Sequence, residues 1–162
     1  MDILMCILNK IVELSKEYVD LFVCLGVIVA GWQWFIIRKS KKQTTIEFYN
    51  NIRKDFIDSL KKLDERFLEG QDINPDDIKG KDNLDIRYAI TEYLSCMERF
   101  AVGLQTSIYD IKVFKEMVGA TLTVRWYKRL EKVIDSLRKE YERPIAYKNL
   151  KDLVLKLEGT PK

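Results

Sequence analysis

Two sets of side chains in this sequence have the types and spacing to do chemistry. The first is a run of cations: Arg125, Lys128, Arg129, Lys132, Lys139 and Arg143. At about 100° per residue they fall within about 100° of arc on one helix face. Like charges so placed repel unless something negative compensates. The face is therefore a candidate site for a polyanion: a nucleotide, an oligonucleotide or phospholipid head groups. Glu131, Asp135 and Glu142 lie beside it and could neutralise it within the chain, which is the alternative. The second set is acidic and N-terminal. On an unbroken helix Asn9, Glu13, Glu17, Asp20 and Cys24 share a narrow polar face, continued by the small Gly31. Lipid does not tolerate such a face, but a helix bundle or an aqueous pore does, and carboxylates there favour cations. The alternative is an amphipathic helix lying in the membrane interface with its acids in water.

Catalysis is the weakest class. The chain has no histidine, which removes histidine acid–base chemistry, the usual triads and most zinc sites. Cys6, Cys24 and Cys96 form no CxxC pair, so neither a disulfide framework nor a zinc site is expected. There is no phosphate-cradling GxxxxGK[ST] and no GxGxxG. Asp72, Asp76, Asp77 and Asp82 crowd one loop, but their spacing is not that of a calcium-binding EF-hand. They read as helix caps in a solvated loop. No enzyme activity, metal or cofactor is expected.

The elements that must position these residues are helices. Gly (seven) and Pro (three) are sparse in 162 residues, and strand-like alternation is rare, so the fold class is all-α. Leu21 to Ile37 carries no charge and holds Trp32 and Trp34 near its end, directly before Arg38, Lys39, Lys41 and Lys42. Such a stretch, with its flanks, spans a hydrocarbon core of about 30 Å. Before it lie two basic and four acidic residues. The chain from Arg38 on therefore carries a net charge of +5. The basic run places the C-terminal part in the cytosol and the N-terminus outside, in a single pass. The expected organisation is an amphipathic plus transmembrane helix over 1–39, a cytosolic bundle of about five helices over 40–158, and a tail over 159–162. No Gly or Pro interrupts Trp32 to Glu69, so the membrane helix is expected to run on as a rod. Further helices are expected over about Asp85–Leu104, from Tyr109 or Asp110 to about Gly119, and over about Thr121–Arg143 and Tyr147–Leu157, with Pro144 as a stop.

At Tyr93-Leu94, Glu98, Ala101, Gly103 and Tyr109-Asp110 the chain follows the pattern Y-L-x-x-x-E-x-x-A-x-G-x-x-x-x-x-Y-D, and Trp126 and Arg138 follow in a later helix. It resembles in this a bacterial family of uncharacterised membrane-anchored helical domains. The resemblance spans about Lys41 to Leu157 and implies no catalytic residue. Under it Glu98 is a structural acid, with Arg99 or Arg125 as candidate partners, and Asp110 is a helix cap. The layout is also similar to membrane effectors of antiphage defence such as the Hailong type, an oligomeric ion channel held shut by an oligonucleotide. That likeness implies a homo-oligomer of four or more subunits in the bacterial inner membrane. It also implies a pore gated by the cytosolic domain and a nucleotide or oligonucleotide ligand. The other expectation is a membrane-tethered module that recruits a partner protein.

Overall fold

The computed structural model describes residues 2–67 and 70–159, and within them every side chain except those of 2–9 and 11–17. Five α-helices are present among the described residues, with no strand: α1 (Asp2–Arg66), α2 (Leu84–Gln105), α3 (Ile111–Met117), α4 (Ala120–Glu140) and α5 (Lys148–Glu158). The fold is all-α, as expected. The chain divides into two units, Met1–Ser40 and Lys41–Lys162, with the division inside α1.

In the first unit, every described side chain from Tyr18 to Ser40 is exposed. Phe22, Val27, Ile28 and Trp32 each present about two thirds of their surface. This is the one helix among the described residues long and apolar enough to cross a membrane, and it lies near the N-terminus. A helix suits lipid because it satisfies its own backbone hydrogen bonds. Near the end of the apolar run the Arg38 guanidinium sits over the Trp34 ring, 5.3 Å from its centroid.

The second unit holds the part of α1 from Lys41 together with α2 to α5. α1 turns Thr45, Ile52, Phe56, Ser59 and Leu63 inward, a three-and-four spacing that gives one buried stripe. α2 is the central helix. Tyr93, Leu94, Cys96, Met97, Phe100 and Ala101 are each at most 1% exposed, more than one stripe can supply, because neighbours pack on several of its sides. Trp126, Leu130, Val133 and Ile134 of α4 and Leu150, Leu153 and Val154 of α5 complete the core. An aromatic chain threads it. Phe48 meets Phe100 at 4.8 Å and Tyr109 at 5.1 Å, and Tyr93 meets Phe56 at 5.7 Å and Trp126 at 6.1 Å between centroids. Edge-to-face and offset pairs of this kind add about 0.5–1.5 kcal/mol each beyond area burial.

One boundary and one loop differ from those expected. α4 ends at Glu140, before Arg143. Tyr141 N–H and Arg143 N–H bond back to Leu137 and Arg138, and Glu142 adopts positive φ (52°), so the helix has already unwound when Pro144 arrives. The acidic loop after α1 is not simply solvated. Ile73 is fully buried and Ile78 nearly so, and short 3-10 helices form at Pro75–Ile78 and Lys81–Asn83. The two isoleucines insert into the core and pin the loop.

Candidate functional site

α4 carries five of the six predicted cations, Arg143 lies in the turn just after it, and the fold divides them. Arg129 is 4% exposed. Its Nε donates to the Gln71 carbonyl at 2.9 Å and one Nη to the Phe67 carbonyl at 3.5 Å. Its guanidinium stacks 4.2 Å from the Trp126 ring centroid. The Arg129 carbonyl in turn accepts from Ile73 N–H at 3.0 Å. Arg129 is therefore a clamp between α4 and the chain that leaves α1. This corrects its assignment to an exposed stripe: a planar cation with an apolar face and a fork of donors fits a buried junction lined with carbonyls. Helical periodicity did not separate it from its neighbours, because it stands at the edge of the apolar face.

The other five are exposed. Lys128 pairs with Glu158 at the end of α5 and Lys132 with Asp72 in the pinned loop, at 2.5 and 3.3 Å. The compensating acids for these two thus come from distant parts of the chain. Of the acids expected beside the stripe, Asp135 is bonded to Arg138 at 2.9 Å. Exposed pairs of this type contribute about 0–1 kcal/mol, so they would yield to a strongly anionic ligand. Lys139 lines a shallow cleft with Asp135, Arg138, Glu142 and Pro144. Arg138 holds that corner together, because its Nε also donates to the Ala146 carbonyl at 2.9 Å. Arg125, Lys128, Lys132 and Lys139 remain as the cationic surface of α4, with Arg143 in the turn that follows it.

The acidic set is anchored in the first unit. Asp20 and Cys24 are exposed on α1, whereas the side chains of Asn9, Glu13 and Glu17 lie outside the described residues. In the loop after α1, Asp72 pairs with Lys132 and Asp76 with Lys79, while Asp77 Oδ2 accepts from Asn74 N–H. No group of three metal-ligating side chains occurs among the described residues.

The Y-L…E…A-x-G…Y-D residues do come together, as architecture. Tyr93, Leu94 and Ala101 are core. Burial pushes the Tyr93 hydroxyl pKa up, Arg125 opposing weakly. Glu98 caps α5: Oε1 accepts from Asn149 N–H and Nδ2 at 3.3 and 2.8 Å, and Oε2 from Leu150 N–H at 2.8 Å. A carboxylate there satisfies orphan donors and meets the positive end of the helix dipole. Its partners are thus backbone and amide groups of α5, which corrects the expected Arg99 or Arg125. Tyr147, before α5, sits in the left-handed region (φ 57°) and supplies no side-chain cap of its own. Asp110 caps α3 as expected, with Oδ1 accepting from Lys112 and Val113 N–H at 2.8 and 3.2 Å. Its own N–H donates to Thr45 Oγ1 at 2.8 Å, tying α3 to α1. Thr45 gave no signal in the sequence, since a threonine inside a helix has many ordinary roles.

Cys96, 1% exposed, donates to Glu92 Oε1 at 3.6 Å. Its thiol pKa is pushed up to about 11, first by burial and then by the Glu92 charge. A thiol so held is not a nucleophile at neutral pH.

No curated protein and no solved structure matches this chain. One family model does, described as a domain of unknown function (DUF4760), over residues 21–157. The match starts at the first residue of the uncharged run and reaches into α5, so apolar helix and helical domain fall within one family unit. The chain belongs to the DUF4760 family.

Proposed function

We propose that this protein is an oligomeric effector of the bacterial inner membrane, in which α1 is the working part and the helical domain its regulator. The observation that carries the reading is the exposed apolar run from Leu21 to Ile37, which follows Asp20 in the same helix. One such helix per chain cannot enclose a pore, so conduction requires several copies around an axis. Glu13, Glu17 and Asp20 would then face that axis and favour cations. The basic run after Ile37 supports a cytosolic domain and an external N-terminus. A nucleotide or oligonucleotide on the remaining cations of α4 would gate the pore only by binding its two arrangements with different affinity. The similarity of layout to antiphage membrane effectors adds support for a defence role.

The test is expression of the full chain in bacteria with a potential-sensitive dye, and its oligomeric state in detergent. We expect toxicity with loss of membrane potential, abolished by Glu13→Ala, Glu17→Ala and Asp20→Ala together, and a ring of four or more subunits. A monomer, or a non-conducting ring, sinks the reading. For the ligand, Lys128→Ser, Lys132→Ser and Lys139→Ser are introduced together and oligonucleotide binding is measured against salt. Arg129 is left intact because its loss would act through the fold. Unchanged binding removes the polyanion arm.

The second reading is a membrane-tethered module that recruits a partner protein without conduction. Two observations favour it: Lys128 and Lys132 already have carboxylate partners within the chain. Under this reading a foreign single-pass anchor replaces Met1 to Ile37 without loss of function.

A further inference from the structure

We infer that the segment from Trp34 to Lys42 is a binding site for the head groups of anionic phospholipids. Four cations, Arg38, Lys39, Lys41 and Lys42, occur within five consecutive residues directly after the apolar run. No acidic residue lies between Asp20 and Glu47, so the sequence offers these cations no local counter-charge. Among the described residues, no ion pair involves Arg38, Lys39, Lys41 or Lys42. Arg38, Lys39 and Lys42 are exposed. The cations of α4 differ in this respect, since two of them are neutralised within the chain.

The geometry at Trp34 specifies the depth. An indole next to a run of apolar residues sits at the head-group level of a bilayer. The Arg38 guanidinium over that ring, 5.3 Å from its centroid, is then held where phosphates are. Arginine offers a phosphate two parallel N–H donors, whereas the lysines add mobile point charges. A juxtamembrane basic cluster is drawn to anionic lipid within about one Debye length of the surface. Charge complementarity selects an anionic glycerophospholipid over a zwitterionic one.

The inference rests on reading α1 as a membrane span, and the experiment separates the two. Purified full-length protein is reconstituted into phosphatidylcholine bilayers. A fixed fraction of either phosphatidylcholine or phosphatidylglycerol carries bromine on its acyl chains, and quenching of tryptophan fluorescence is measured. Trp32 and Trp34 are exposed and report on adjacent lipid, while Trp126 is fully buried and gives an unquenched background. We expect brominated phosphatidylglycerol to quench as though enriched at least about fivefold, the factor one cation supplies at an anionic surface. The preference should vanish at about 1 M salt. It should also vanish in R38Q/K39Q/K41Q/K42Q with quenching by brominated phosphatidylcholine intact, and survive in K39R/K41R/K42R. Equal quenching by the two lipids in the wild type overturns the inference, as does a preference that persists in the quadruple variant. If that variant does not insert, the single variants decide: a reduced preference in Arg38→Gln supports the site, and no change in any of the four overturns it. Absence of quenching by either lipid in the wild type overturns the membrane span itself.

Discussion

Gly103 has no side chain because the ring of Tyr109 occupies the place where one would go. A Cβ there would lie 2.1 Å from two ring carbons. The Gly103 carbonyl accepts from Ile108 and Tyr109 N–H at 2.9 and 3.0 Å, so the backbone turn that brings the ring back starts at the same residue. Gly103→Ala should push Tyr109 off Phe48 and Phe100 and destabilise the second unit by about 1–3 kcal/mol. Chemical denaturation of the wild type, both single variants and Gly103→Ala/Tyr109→Ala checks this. The cycle should be strongly non-additive, because removing the ring removes the clash. Cys96 makes a second prediction at this scale. Its folded pKa of about 11 lies above the ordinary value of 9.0, so the folded state holds the thiol proton more tightly than the unfolded one. The stability this provides is complete below pH 9.0 and is lost as pH rises through about 11. Maleimide labelling of Cys96 in the native protein should be slow at pH 7 and should quicken with pH across that window. Fast labelling at neutral pH would contradict the burial. Of these residues, Gly103 and Tyr109 were visible in the sequence as a pattern. Their contact was not, because a six-residue spacing does not say which way the chain turns.

The helix ends show how elements are joined. α3 has only seven residues, too few to be stable alone, and Asp110 both caps it and fastens it to Thr45. α5 borrows its cap from α2 through Glu98. Glu98→Ala would leave the N–H groups of Asn149 and Leu150 without this acceptor and remove a charge from the positive end of the helix. The expected cost is about 1–3 kcal/mol, and hydrogen exchange should rise first in α5. Glu98→Gln should keep part of the stability, since an amide oxygen can still accept. Uniform exchange across the domain in Glu98→Ala would refute this local role. The caps differ in how far the sequence revealed them. Asp110 lies immediately before its own helix, so local spacing exposed it. Glu98 serves a helix some fifty residues away, and only packing identifies its partner.

At the scale of the whole molecule, the chain is two units with opposite surfaces. From Tyr18 to Ser40 the first exposes every side chain, most of them apolar, while the second packs most of its apolar residues into or against one buried cluster. A fragment over residues 41–162 should therefore fold without detergent, with helical circular dichroism and a cooperative thermal transition. The full chain should need detergent or lipid. A fragment that aggregates or melts without cooperativity would show that the second unit depends on the first. The same division bears on function. The acids proposed to line a pore, the cations proposed to meet lipid head groups and the cations of α4 lie at separate positions along the chain, so variants can address each in turn.

The sequence by itself determined the all-α class, the apolar helix with its basic flank, the helix positions to within a few residues and the Asp110 cap. These are short-range properties: hydropathy, periodicity and local hydrogen bonding act between residues close in the chain. The tertiary structure alone decided that Arg129 is a buried clamp, that Glu98 caps α5, that Lys128 and Lys132 find their counter-ions in Glu158 and Asp72, and that the acidic loop is pinned by Ile73 and Ile78. Each of those contacts joins residues from about thirty to about sixty positions apart. A guanidinium, a carboxylate or an isoleucine can serve many partners, and only the packed chain selects one.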